Sequence, residues 1–346
     1  MRLVRLVGAT ILIAQSMLSA GVAGTELDRS LADLWQHYRA RFVTPAGRVV
    51  DNANGNISHS EGQGYAMLFA ERTNDRAAFT AIWQWTRDNL FVRGDGLAAW
   101  RWDPQSQPHV TDTNNATDGD LLIAWALAEA AGKWNAAEYQ RRAKSIAEAL
   151  AREVVVPSRY GPILLPAAHG FSAEEQPDGP VVNLSYWIFP ALARLGEISG
   201  AADWPAVADA GQALIAAARF GPRDLPGNWT AIGPDAPAPA RNFPRLFGYD
   251  AIRIPLYLAW RGPAAADLSM SLLPHNLAVV DLDSGADRER LANPDYQAIA
   301  QLADCRNSSR LSTLRNLPYD GQFYYPASLH LLSLVAASDM APACTR

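Results

Sequence analysis

The sequence predicts an all-α protein, a single domain of antiparallel helix pairs arranged as a toroid. Three observations carry this expectation. Apolar residues recur three and four positions apart along most of the chain. The helical runs come in pairs, with a short joint on one side and a long Pro/Gly-rich loop on the other, and alternating strand patterns are nearly absent. An open solenoid of helix pairs would leave a similar trace. The 346 residues, 49% apolar and 19% charged with a net charge of -5, can bury a large core. No linker interrupts the series, so residues 25–346 read as one domain.

The elements follow in order. Arg2 and Arg5 precede an apolar run from Leu6 to Ala14, and small residues continue to Gly24, which is the layout of a secretory signal peptide over residues 1–24. That run is shorter than the roughly 20 residues a membrane span requires. The mature chain is therefore expected to be a soluble, exported monomer, periplasmic or secreted and without a span; an uncleaved anchor is the alternative. Leu27, Leu31, Leu34 and Tyr38 mark a first helix, with Thr25 as its cap. Helix pairs are expected at 62–72 with 75–90, at 119–132 with 136–154, and at 184–199 with 204–219. The first two pairs have asparagine in the joint, and Trp204-Pro205 suits the opening turn of the last helix. Further helices are expected at 248–261, 264–281, 293–305 and 326–339, for a total of eleven or twelve. The intervening loops include 94–117 with Trp100 and Trp102, 157–180 with a short strand pair near Ile163, and the Pro-rich 221–245 with Trp229. Short joints at one end would gather these long loops at the other.

Several chemistries are excluded. No basic stripe accompanies the acidic net charge, which argues against nucleic acid. Six histidines and two cysteines form no ligand-like cluster, so no metal is expected, and Cys305 with Cys344 is a candidate disulfide closing the tail of an exported chain. Gly94-Asp95-Gly96 lacks the strand and helix of a phosphate loop, and no cofactor is implied.

Carboxylates at loop-to-helix junctions are the informative feature. Glu61 lies in Ser60-Glu61-Gly62-Gln63-Gly64-Tyr65, Asp118 and Asp120 in Ala116-Thr117-Asp118-Gly119-Asp120, and Asp250 in Tyr249-Asp250-Ala251-Ile252-Arg253. Singly, each has an ordinary explanation. Ser60, Thr117 or Asp118 can cap a helix, an acid in a first turn complements the helix dipole, and Asp250 with Arg253 at helical spacing can be a local ion pair. Asp118 and Asp120 are too few, and the Leu-Leu-Ile after them too apolar, for a calcium loop.

Together the three stretches resemble the signatures of glycoside hydrolase family 8, in order and spacing, over nearly all of the mature chain. Asn183-Leu184-Ser185-Tyr186 resembles a further active-site segment. The resemblance implies an (α/α)6 barrel and inverting hydrolysis of β-1,4-glucan, with cellulose as the substrate and functional association with a cellulose synthase. It also implies that Glu61 is the proton donor, Asp250 the base and Asp118 an acid contacting the sugar at the cleavage point. Members of the family differ in which acid is the base, so Asp118 stands as the alternative. Trp100, Trp102, Tyr186 and Tyr249 are the candidate sugar contacts, with core packing equally open for each, and Arg253 is a candidate to orient Asp250 or touch substrate. His59 is read as polar lining. Gly64 stands where serine is common, and the 221–245 loop looks longer than usual. Chitosanase, xylanase or mixed-linkage glucanase activity, a non-catalytic glucan-binding protein and a polysaccharide lyase are the competing readings.

A general acid must hold its proton near working pH, whereas a helix N-terminus favours the ionised form. Glu61 is therefore expected to have a second acid such as Asp118, or a desolvating aromatic, beside it.

Overall fold

A computed structural model describes residues 26–274, 277–303 and 308–344, and within them twelve α-helices follow one another. Helix α1 spans 26–42. The pairs α2 (Ser60–Arg72) with α3 (Arg76–Asn89), α4 (Thr117–Trp134) with α5 (Ala137–Glu153), and α6 (Phe189–Ile198) with α7 (Trp204–Ala217) come next. Then follow α8 (Arg253–Trp260) with α9 (Ala266–Ser271), α10 (Gln297–Leu302) with α11 (Ser308–Arg315), and finally α12 (Tyr324–Cys344). The even-numbered helices form an inner ring: α2 packs on α4, α4 on α6, α6 on α8, α8 on α10, α10 on α12, and α12 returns to α2. The odd-numbered helices lie outside. Helix α1 completes that layer, with the Tyr38 hydroxyl 3.0 Å from that of Ser328 on α12 and the Trp35 and Tyr38 rings against Phe69 on α2. This is the (α/α)6 toroid.

Burial separates the two layers. All eight residues of α8 are buried, as is α2 from Gly62 to Glu71, because an inner helix has neighbours all round. Outer α5 buries only Ala143, Ile146, Ala147, Ala149 and Leu150, a single stripe at helical spacing. The joints behave as their asparagines suggest: Asn74 (φ 59°) and Asn135 (φ 51°) take the left-handed conformation that ends a helix sharply.

Close approach of α2 and α4 depends on two glycines. A Cβ at Gly64 would lie 2.5 Å from the Leu122 Cβ, and one at Gly119 would lie 2.1 Å from the Ser60 Oγ. The glycine at 64 is thus matched to a leucine on the facing helix.

The structure corrects several local expectations. His59, not Ser60, caps α2 by accepting the Gly62 N–H at 3.2 Å on Nδ1, and the buried Ser60 hydroxyl has no hydrogen-bond partner. At α4 no side chain caps: Thr117 donates instead to the Leu165 carbonyl at 2.7 Å, and Asp118 accepts the Gly119 N–H at 2.8 Å. The run expected as a helix over 264–281 breaks after α9, and the β-branched Val279-Val280 lies in a strand, Ala278–Asp281. Helix α11 was not anticipated, and α8 starts at Arg253 because residues 248–252 form a turn. Among the described residues ten strands of two to four residues decorate the toroid, including the antiparallel pair Val155–Ser158 with Gly161–Leu164 near the expected place. Thr25 and the candidate disulfide lie outside the described residues or side chains. Among the described residues no helix is long and apolar enough to cross a membrane.

Gly64→Ala is expected to destabilise the protein by about 1–3 kcal/mol through overpacking at the α2–α4 contact, read as a lowered Tm in thermal unfolding.

Candidate active site

Each inner helix begins where a long loop ends, so the inner N-termini and their loops meet at one end of the toroid. Six helix N-termini facing one region create a positive field that favours carboxylates there. Glu61 occupies the first turn of α2, Asp118 that of α4, and Asp250 the turn leading into α8, whose first residue is Arg253.

Arg253 joins all three acids. Its guanidinium, only 3% exposed, bonds Glu61 Oε1 and Asp118 Oδ2 (2.9 Å) through Nη1, and Asp250 Oδ1 (3.0 Å) through Nη2. A rigid fork of donors is suited to this arrangement in a way a lysine ammonium is not. Tyr65 donates to the same Glu61 Oε1 at 3.0 Å and meets the Tyr257 hydroxyl at 3.1 Å. Glu61 Oε2 is left facing His59, whose Nδ1 is 3.7 Å away and whose Nε2 is 3.5 Å from Asp51. With Nδ1 accepting the helix cap, neutral His59 carries its proton on Nε2, toward Asp51.

Electrostatics follow from this crowding. Burial, and then the Glu61 charge, push the Asp118 carboxyl up to about 7 against the lowering effect of Arg253. Burial also raises Asp250, whose side chain is 30% exposed, while Arg253 opposes the shift and Glu61 adds to it. Burial alone would lower His59, but the Asp51 contact and the Glu61 and Asp118 charges outweigh it and the net shift is upward. Arg253 is held well above its ordinary range by its carboxylates despite burial. The expected juxtaposition of Glu61 with a second acid is present, and the carboxyl held at about 7 is Asp118.

A cleft of about 650 Å³ opens over this cluster, with Glu61, His59, Asp250 and Arg253 at its base and Tyr249, Tyr325 and Phe323 on its walls. Tyr249 is 43% exposed, and its hydroxyl donates to Glu289 at 2.7 Å. Tyr186 lies against the Arg253 guanidinium, 5.7 Å from ring to carbon. Trp100 is half-buried, with its indole N–H on Asp112 at 2.8 Å and its carbonyl accepting the Ser60 N–H, so it is tied to the start of α2. Trp102 is placed differently. In the strand pair Ser58–His59 with Arg101–Trp102 it faces Ser58, so it projects to the side away from His59, where the His109 ring lies 4.3 Å off and the Arg48 guanidinium 5.0 Å off.

Sequence reasoning passed over Tyr65, Tyr257, Tyr325 and the capping role of His59. Tyr65 sits four residues after Glu61 on the same helical face, a spacing that could have flagged it. Tyr257 and Tyr325 arrive from distant helices and carry no local signal. Asp120 proves to be a brace: it accepts the Ala98 N–H at 2.8 Å and the Asn115 amide at 3.1 Å, fixing the loop that leads to Trp100.

A closed ring of helix pairs with acids gathered around one arginine, beneath an aromatic-walled cleft at the loop end, defines a glycoside hydrolase of the helical-toroid class. A model of the family described as glycosyl hydrolases family 8 matches residues 8–337, and the chain belongs to that family. It is 36% identical over 336 residues, 94% of this chain and 96% of the other, to a probable endoglucanase of Novacetimonas hansenii. The structure resembles that of an endoglucanase of Klebsiella pneumoniae, described as a family 8 glycosyl hydrolase, with a TM-score of 0.79 and 35% identity, covering 89% of this chain and 99% of that one. It also resembles an endo-β-1,4-glucanase of Acetobacter xylinum, with a TM-score of 0.77 and 35% identity over 89% and 98% of the two chains.

Asp118 and Asp120 give stability a pH dependence with a definite sign. Both are raised from 3.8 to about 7, so between those values the folded state binds more protons than the unfolded one. Their contribution is present in acid and lost as pH rises from about 4 through 7. Denaturant unfolding at steps across that range should show the decline, and Asp120→Asn should flatten it.

Proposed function

We propose that the protein is an endo-β-1,4-glucanase that cleaves internal bonds of cellulose chains with inversion. The observation that carries this is the placement of Glu61 and Asp250 on opposite terminal nitrogens of one buried guanidinium. Inverting chemistry needs its two carboxyl groups about 6.5–9.5 Å apart with a water between them, and acids bound to different nitrogens of one fork are free to stand apart in that way.

Glu61 is assigned as the acid. Tyr65 and Arg253 occupy its Oε1, so Oε2 is the oxygen that carries the proton to the glycosidic oxygen. Glu61 and Asp118 share one arginine nitrogen, and burial together with the Glu61 charge raises the Asp118 carboxyl to about 7. Asp250 takes a proton from the attacking water on the opposite face of the sugar, with Arg253 orienting it. Asp118 is assigned the contact with a hydroxyl of the sugar at the cleavage point. Tyr249, Tyr186 and Trp100 supply flat surfaces for neighbouring glucose units. Trp102, packed between His109 and Arg48, is the weakest of the proposed sugar contacts.

Export as a soluble, monomeric, periplasmic or secreted enzyme that trims chains beside a cellulose synthase fits the leader-like residues 1–24 and the absence, among the described residues, of a membrane-crossing helix.

Reducing-sugar release should be high on a soluble cellulose derivative and low on chitosan and xylan; the reverse ranking would move the assignment to another polysaccharide. Glu61→Gln and Asp250→Asn should each lower kcat by about 10²–10⁴-fold. Proton NMR of early products should show the α-anomer first, and an initial β-anomer would contradict inversion.

A further inference from the structure

We infer that Asn228, in the Pro-rich loop, is a positioning residue that aims Asp250 by clamping the backbone on both sides of it. The inference rests on the reading of Asp250 as the base.

Asp250 differs from the other two acids in its support. Glu61 and Asp118 ride on first turns of long inner helices, whereas Asp250 lies in the irregular turn before α8. Within that turn the Ile252 N–H reaches the Gly248 carbonyl at 3.0 Å and the Arg253 N–H reaches the Asp250 carbonyl at 3.1 Å. The N–H groups of Gly248 and Ala251, which bracket Tyr249-Asp250, receive a partner from outside. Asn228 Oδ1 accepts both, at 2.8 and 3.1 Å. The Asn228 N–H also donates to the Leu246 carbonyl at 2.8 Å, so its backbone and side chain hold the same segment. The fit is close: a Cβ at Gly248 would stand 3.0 Å from the Asn228 Nδ2. Glycine at 248 is what lets the amide lie flush against the turn.

The clamp has a firm base. Two residues after Asn228 a strand, Thr230–Ile232, pairs with Val181–Val182 on one side and Pro237–Pro239 on the other. The Trp229 ring stacks on Phe243 at 4.7 Å and on Phe171 at 5.5 Å. Val182 leads directly to Asn183, whose Oδ1 is taken by Ser185. Asn183 lies near enough to Asp250 to oppose the rise in its pKa. One small sheet thus presents Asn228 to the backbone around Asp250 and Asn183 to its side chain. A neutral amide suits the first task because it supplies two acceptor contacts without placing a second negative charge beside the base.

Asn228→Leu keeps the size but removes the acceptor; Asn228→Asp keeps an acceptor and adds charge. For Asn228→Leu, kcat on a soluble cello-oligosaccharide should fall about 10–100-fold with KM changed less than about threefold, because misplacing a reacting group by about 1 Å costs on that order. Asn228→Asp should recover most of kcat and move the acid limb of the pH profile upward, since a carboxylate there disfavours ionised Asp250. Melting curves check folding. Wild-type kcat in Asn228→Leu, no recovery in Asn228→Asp, or a loss matching the unfolded fraction would overturn the inference. If Asn228→Leu does not fold, an unmoved acid limb in Asn228→Asp overturns it alone. Asp250→Asn is measured in parallel: full activity there would sink the base assignment, whereas an inactive Asp250→Asn beside a normal Asn228→Leu would sink only the clamp.

Discussion

The site depends on one buried guanidinium. Without Arg253, three carboxyl groups would be crowded together with no cation between them, and Coulomb repulsion in a poorly solvated cleft would drive them apart or force them to take up protons. Its two terminal nitrogens divide the acids: Glu61 and Asp118 on one, Asp250 on the other. That division makes the acids chemically unequal. The two that share a nitrogen form a coupled pair, with Asp118 held at about 7, while Asp250 stands on the far side with a more open environment. Burying an arginine is costly, and its full set of charge-assisted bonds offsets the cost.

The toroid makes this gathering possible. In a ring of helix pairs every inner helix has the same direction, so first turns distant in sequence become neighbours in space. Their dipoles would repel one another if left bare, and acids placed at those turns relieve that repulsion while Arg253 limits the build-up of negative charge. Near contact between α2 and α4 sets the distance between Glu61 and Asp118. Gly64 and Gly119 permit that contact, so two residues without side chains govern how closely the two carboxyl groups approach.

Short strands and loops do a different job from the helices. The helix ring places Glu61 and Asp118 by regular geometry, but Asp250 and the aromatic walls come from turns and hairpins that need separate bracing. Asp120 braces the approach to Trp100, Glu289 holds the Tyr249 hydroxyl, and Asn228 holds the backbone around Asp250. Each brace is a polar side chain satisfying backbone or hydroxyl groups that regular structure leaves unpaired.

The helix pairs, their joints at Asn74 and Asn135, and the three acidic stretches were legible in the sequence because each is encoded locally, by spacing, by turn chemistry and by motif. Local encoding also explains the misses. Residues 264–281 read as a helix since apolar runs alone do not separate helix from strand, and the pairing of Ala278–Asp281 with neighbours on both sides decided the matter. Ser60 looked like a cap, but packing against Gly119 took its side chain out of play and His59 accepted the free N–H instead. Trp102 looked as available as Trp100, yet its pairing with Ser58 turns it away from His59 and against His109 and Arg48. The sequence by itself determined which residues could serve as acids and that they would lie at loop-to-helix junctions. Only the tertiary structure decided that they share Arg253, that Asp118 is the carboxyl held at about 7, and that Tyr65, Tyr257 and Asn228 stand behind them, because these are contacts between elements far apart in the chain, and no local pattern records which distant side chain will desolvate or pair with a given group.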